Sequence, residues 1–227
     1  MKLSNNTVNI LKNFTSINEG IFIKKGNVLE TISKQKNILA RAEVVDNFDE
    51  EFGIYDLNNF LGVLSLQKVA EPEINFDDKN ILIKGFSGKS QMKYRKAAKE
   101  MIVIPPDKKI NMAGAEISFA LSSEEIAWVT RVANQLSSPN LAFVSDGSTV
   151  EIQSFDAKDD SAHVNTTELA SGGNGKKYRM IFATDNLKFV EGSYDVQISA
   201  KGISHFKHTT APVEYWVMAE TGSKVEG

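Results

Sequence analysis

The chain has no cysteine, which removes disulfides and thiolate chemistry and fits a reducing compartment. Proline is sparse, 5 in 227 residues, and two of them stand together at Pro105–Pro106, the sharpest break in the sequence. No window approaches the roughly 18 apolar residues of a membrane-spanning helix. The start, MKLSNNTVNIL, carries one lysine and no apolar run, so it does not read as a signal peptide. Positive charge is not in excess. Lys and Arg number 26 against 29 Asp and Glu, a net charge of −3, which argues against coating nucleic acid with the whole surface. A local basic patch stays open, because a field depends on where charges sit. With 41% hydrophobic and 24% charged residues the chain can bury real cores. The expectation is a soluble, cytoplasmic protein of one large domain or two smaller ones.

A first helix reads from Ser4 to Ile17, with Leu3, Thr7, Ile10, Phe14 and Ile17 on one side and Asn5, Asn9, Lys12 and Ser16 on the other. Strand-like runs follow. Then YDLNNFLGVLSL, Tyr55 to Leu66, puts Leu57, Phe60, Leu61 and Leu64 on one helical face, with Asp56 as its N-cap. The opposite face holds Asn58, Asn59, Gly62 and Ser65, which are short and uncharged where a surface helix usually carries Lys and Glu. PEINFDDKNILIKGF reads as a hairpin around Asp77–Asn80. The basic SGKSQMKYRKAAKE leads into a linker at about 101–109.

After the linker the order repeats. EISFALS is a strand, and SSEEIAWVTRVANQL is a helix opened by the capping box Ser122-x-x-Glu125. Its inward face is Ile126, Val129, Ala133 and Leu136, and its outward face is Ala127, Arg131, Asn134 and Ser138. Alternating strands follow, with a short helix expected at TDNLKFVEG before the last three. The fold class read from this order is α+β, two similar domains at 1–109 and 110–227, each with two helices on antiparallel sheets.

The segments MKLSNNTVNILKNFTSINEGI, IYDLNNFLGVLSL and the closing FVEGSYDVQISAKG and YWVMAE resemble the replicative sliding clamp of T-even-type phages, the DNA polymerase processivity factor. The resemblance covers most of the chain and is weakest from about Phe86 to Lys109 and after Glu220. It implies a homotrimeric ring of two-domain subunits, with four helices per subunit around a hole for double-stranded DNA. An ATP-driven clamp loader would place the ring, which would then tether the replicative DNA polymerase in the cytoplasm of the infected bacterial host. Twelve helices of about 10 Å side by side leave an opening of roughly 28 Å, wide enough for a hydrated duplex. In that setting the DNA-facing residues are Lys12, Arg131, Lys188, Asn5, Asn9, Asn58, Asn59 and Asn134, with Asp185 close to Lys188. Outside a ring the same residues are ordinary solvated surface.

By the same resemblance, partner peptides would bind near Ile102, Val103, Ile104, Pro105 and Pro106 with Tyr215, Trp216, Val217 and Met218. The competing reading makes Trp216 plain core. The basic cluster Lys93, Arg95, Lys96 and Lys99 either draws in DNA or the loader, or is a solvated edge strand guarded by lysine.

Enzyme signals fail on spacing. Gly85 to Ser90, GFSGKS, has two residues between its glycines where a phosphate loop needs four, and SGGNGKK at Ser171–Lys177 lacks the leading Gly and the closing Ser or Thr. His205 and His208 fall in a strand-like run, where i and i+3 point to opposite faces, and His163 stands apart after DAKDD. Asp77–Asp78 and Asp159–Asp160 read as turn residues. No catalytic residue, metal or cofactor is expected. The alternative to a clamp is a β-rich phage structural or assembly protein, with a nucleotide-dependent enzyme at Gly85–Ser90 third.

Overall fold

The computed structural model describes residues 1–67, 71–85, 88–107, 110, 112, 115–170 and 175–226. The chain divides into two compact units, Met1–Asp107 and Lys108–Gly227. Parts of the expected linker, at 108 and 109, lie outside the described residues, as do 86 and 87 of GFSGKS and 171–174 of SGGNGKK.

The first unit runs α1 (Asn5–Phe14), β1 (Ile21–Ile23), β2 (Gly26–Ile32), β3 (Ile38–Phe48), β4 (Phe52–Ile54), α2 (Leu57–Ser65), β5 (Ile74–Phe76), β6 (Asn80–Gly85) and β7 (Ser90–Arg95). Pairing is antiparallel throughout: β1 with β4, β2 with β3, and β5-β6-β7 in that order. The hairpin expected at Asp77–Asn80 is there. Asp77 accepts from the amides of Lys79 and Asn80, at 2.8 and 2.7 Å. The free side of β5 is covered by the N-terminus, where Ile74 N–H donates to Met1 O at 2.8 Å and Leu3 N–H to Pro72 O at 2.9 Å. α1 ends three residues before the expected Ile17, in a tighter turn that leaves Ile17 half-buried. The core is largely aliphatic, with Leu11, Ile21, Ile23, Leu29, Ile54, Leu57 and Ile83 at or below 1% exposure around Phe14, Phe48 and Phe60.

The second unit runs β8 (Ile117–Leu121), α3 (Ser123–Gln135), β9 (Asn140–Asp146), β10 (Val150–Phe155), β11 (Asn165–Glu168), β12 (Lys177–Ala183), β13 (Tyr194–Ile198), β14 (Ile203–His208), β15 (Val213–Met218) and β16 (Lys224–Val225). Its strands form the antiparallel runs β11-β10-β9-β12-β16 and β8-β13-β14-β15. Aromatic rings dominate here: Phe143, Phe182, Phe206 and Phe189 meet at centroid distances of 4.8–6.2 Å, and Phe189 stacks on Tyr215 at 4.5 Å.

The helix expected at TDNLKFVEG is corrected to a single 3₁₀ turn, Thr184–Leu187. Among the described residues the α-helices therefore number three, not the four implied above. The reason is tertiary. Val190 N–H donates to the Tyr215 hydroxyl at 3.1 Å, and Val190 C=O accepts from the Tyr194 hydroxyl at 2.5 Å, so two tyrosines take the backbone bonds a helix would have made. Burial pushes the Tyr215 phenol up to about 12 and that of Tyr194 higher still. Both remain protonated at neutral pH.

Candidate nucleic-acid interface

α1 begins where Ser4 accepts from Thr7 N–H at 3.2 Å, while Ser4 itself donates through its amide and hydroxyl to Asp46 at 2.8 and 2.9 Å. The cap is thereby tied to β3, and the helix can face only one way. Thr7, Ile10, Leu11 and Phe14 are buried, while Asn5, Asn9, Lys12 and Ser16 are exposed. α2 starts at Asp56, which accepts from Asn59 N–H at 2.8 Å. It buries Leu57, Phe60, Leu61 and Leu64 and exposes Asn58, Asn59, Gly62 and Ser65. Ser65 turns its hydroxyl back to Gly62 C=O at 2.6 Å, leaving that face lower still.

Gly62 decides whether this low profile is a packing requirement. A Cβ placed there would meet nothing within 4 Å. Glycine in a helix costs about 1 kcal/mol relative to alanine, and no neighbour demands it here. The fold gives no reason for that residue.

On α3 the capping box forms as expected. Ser122 accepts from Glu125 N–H at 3.2 Å, and Glu125 accepts from Ser122 N–H at 2.7 Å. Glu125 also accepts from Ala170 N–H at 2.8 Å, fixing the helix start to the chain after β11. Partial burial pushes the Glu125 carboxyl up, but the Ser122 hydroxyl and the Ala170 and Ser122 amides outweigh it and hold the group below its usual value. Ala127, Arg131 and Asn134 are exposed as expected. Arg131 folds along its own helix, donating to Ala127 C=O at 3.3 Å, with its guanidinium 5.9 Å from the ring centre of Trp128. Ser138 is corrected. It lies past the helix end, where Ser137 adopts φ 53° and Ser138 N–H bonds Ala133 C=O at 2.8 Å, and it is buried at 6% exposure. Glu124, exposed one turn before Ala127, was missing from the expected face. So was Trp128, 48% exposed, which the apolar-versus-polar pattern could have flagged because it falls outside the inward stripe.

Lys188 is not on a helix. It follows the 3₁₀ turn with ψ 70° and pairs with Asp185 at 2.6 Å, so its charge is largely met locally.

The basic cluster separates. Lys96 pairs with Glu50 at 2.9 Å and lies over Phe76, and Lys99 lies over Phe22, so both pack on unit-one rings. Lys93 and Arg95 are exposed on β7, on the face opposite Tyr94, whose ring meets Phe60 of α2 at 5.2 Å.

Of the expected peptide-contact residues, Ile102 and Pro105 are buried, Val103 and Ile104 half-buried. Asn18, itself buried, donates to Val103 C=O at 3.1 Å and to Ile32 C=O at 3.0 Å. Tyr215 and Val217 have 0% exposure and are corrected to core. Their strand alternates, so Trp216 and Met218 take the other face, with Met218 41% exposed. Trp216 stacks on His205 at 4.7 Å, and His205 Nε2 lies 2.9 Å from Glu214. His208 points the opposite way, accepting from the amides of Thr210 and Ala211, so the two histidines do not converge. Asp159 accepts from Ser161 N–H at 2.9 Å, a turn as expected.

A family model described as DNA polymerase processivity factor matches residues 2–104. The sliding clamp of Enterobacteria phage T4 is 30% identical over 205 residues, covering 89% of this chain and 89% of its own. The chain belongs to the phage sliding-clamp family. The sliding clamp of Vibrio phage KVP40 is 29% identical over 227 residues, 97% of this chain and 99% of its own. PCNA from A. fulgidus, solved with the C-terminal region of FEN-1 bound, matches with TM-score 0.69 at 14% identity over 98% of each chain. PCNA from Entamoeba histolytica matches at 0.67 and 12% over 95% of each. These structures share the clamp fold over the whole length. The sliding clamp described here is a processivity factor and not an enzyme, so its surfaces hold and guide instead of reacting. Its relatives are phage proteins, which places its work in an infected host. No helix among the described residues is long and apolar enough to cross a membrane.

Proposed function

We propose that three copies of this sliding clamp close into a ring around double-stranded DNA, with the polar faces of α1, α2 and α3 turned to the duplex. The observation that carries this is the helix face of Asn58, Asn59, Gly62 and Ser65, whose smallest member no packing contact requires. A surface that must pass a moving polyanion gains from being low and free of carboxylate. Asn5, Asn9 and Asn134 offer weak, exchangeable hydrogen bonds, and Lys12 and Arg131 a mild attraction. Phosphate contacts carry no sequence information and weaken with salt, so residence must come from enclosure. Lys188, neutralised by Asp185, contributes least.

An ATP-driven loader opens the ring in this reading, and the replicative polymerase is tethered through the outer face of β15, where Trp216 and Met218 stand. Tyr215 and Val217 hold that strand from its buried face. The setting is the cytoplasm of the infected bacterium.

The test is primer extension with Lys12 and Arg131 both changed to Ala, and separately with Gly62→Glu. Both variants should stay assembled and give shorter products at moderate salt. Unchanged product length in both would remove these faces from the DNA path. Titrating a C-terminal peptide of the cognate polymerase should alter Trp216 fluorescence, and silence at saturating peptide would sink that docking surface.

A further inference from the structure

The outer face of β15 carries Glu214, Trp216 and Met218 at alternate positions. Each stands directly opposite a residue of β14: Lys207, His205 and Ile203, in that order. The strip is therefore three cross-strand rungs, charged at one end, aromatic in the middle and apolar at the other. A docking face needs its largest side chain already in place, because ordering a loose indole at the moment of binding costs affinity. The middle rung meets that need.

His205 and Trp216 stack with ring centres 4.7 Å apart and planes 10° from parallel. An imidazole alone could turn and release the indole. It is stopped from β15 itself: His205 Nε2 lies 2.9 Å from a carboxylate oxygen of Glu214, two residues before Trp216 on the same face. A carboxylate only accepts, so Nε2 carries the hydrogen whether the ring is neutral or charged. The side chains of His205 and Glu214 are 14% and 21% exposed, which shields that bond from water. On its other side His205 faces Gln197 of β13. Glu214, His205 and Trp216 thus close a triangle across two strands.

The indole shows that its place is imposed on it. Trp216 Nε1 is buried and, among the described residues, has no hydrogen-bond partner. A buried donor without an acceptor is costly, so a tryptophan free to choose would turn that edge towards water. The stack holds it against that cost. We propose that His205 is the positioning residue of the polymerase-docking face. Tied by Glu214, it presents Trp216 ready-placed to an incoming peptide, with Met218 as an adaptable apolar contact beside it. This rests on the docking reading and adds what makes that face competent to bind. His205 acts through Trp216, not by touching the peptide.

The experiment uses the full chain with Trp128→Phe, so that Trp216 is the sole tryptophan. Calorimetry with a C-terminal peptide of the cognate polymerase reads affinity. The near-ultraviolet circular dichroism of Trp216 reads whether the indole is held before the peptide arrives. His205→Phe keeps a flat ring opposite Trp216 and should bind within about twofold of the parent. His205→Gln keeps a donor for Glu214 but no ring. It should bind about fivefold to tenfold more weakly, with the tryptophan band reduced in the free protein. Binding stoichiometry should stay at the parent's value in both, whereas a folding defect would lower it. Equal affinity in the two variants would end the positioning role and leave the docking face standing, as would weaker binding with an unchanged tryptophan band. No binding by the parent at saturating peptide would end the docking reading, and this role with it.

Discussion

The two units solve one problem differently. In the first, two helices, α1 and α2, cover the strands, and the core beneath them is mostly aliphatic. Among the described residues of the second, a single α-helix, α3, does so, and the stretch expected as a second helix is the 3₁₀ turn Thr184–Leu187 and the chain after it. That chain is held by side chains instead of by its own backbone ladder: Phe189 under Tyr215, and Val190 between two tyrosine hydroxyls. A small apolar cavity, about 20 Å³, remains there, lined by Ile126, Val129, Thr130, Leu187, Phe189 and Phe206 among others. An irregular segment is stable only if the core beneath it supplies directional contacts, and aromatic rings with hydroxyls can do so where leucine cannot.

The sharpest way to break this comparison is Phe206→Ala, at 0% exposure in the aromatic cluster, with an expected loss of about 3–5 kcal/mol by denaturant melt. A loss as small as a surface change would mean the cluster is not the anchor. Next, Tyr194→Phe with Tyr215→Phe should cost about 2–3 kcal/mol by stranding both polar groups of Val190, with local amide exchange rising around 184–192. Unaltered exchange there would say that the segment holds itself.

The helix caps come third. Ser122→Ala should cost about 1–2 kcal/mol, since it breaks a reciprocal box, and Ser4→Ala about 1 kcal/mol, since Asp46 keeps the chain in place. Equal costs would deny the difference between the two helix starts. Acid should act on the second unit through Glu125. Its carboxyl is held low in the fold, so its contribution is complete above the ordinary carboxylate value and fades as pH falls through the lowered one. Glu125→Gln should flatten that acid limb in a pH series of melts, and an unchanged limb would count against it. The smallest effect is a gain. Gly62→Ala should stabilise by about 0.5–1 kcal/mol, and a loss would reveal a packing role the open space around Gly62 denies.

Much of this was legible in the residues. Asp56, Ser122 and Glu125 marked helix starts because a cap is a local hydrogen bond, set within three residues of chain. The faces of α1 and α2 were legible because burial follows the 3.6-residue period. Three things were not. TDNLKFVEG has a helix-like pattern, yet partners at Tyr194 and Tyr215 outbid the backbone. Ser138 fitted the outward stripe, but the helix ends three residues before it, at Gln135. Tyr215 and Val217 share a strand with Trp216 and Met218, and alternation alone does not say which pair is buried.

The amino-acid order by itself determined the helix faces, their caps, the hairpin and the clamp family, because each depends on neighbours a few residues away or on length and order of segments. Only the tertiary structure decided that Val190 is held by Tyr194 and Tyr215, that the basic cluster divides between packed lysines and an open edge, and that Glu151 faces Glu168. Those are encounters between residues distant along the chain, and no local period encodes them.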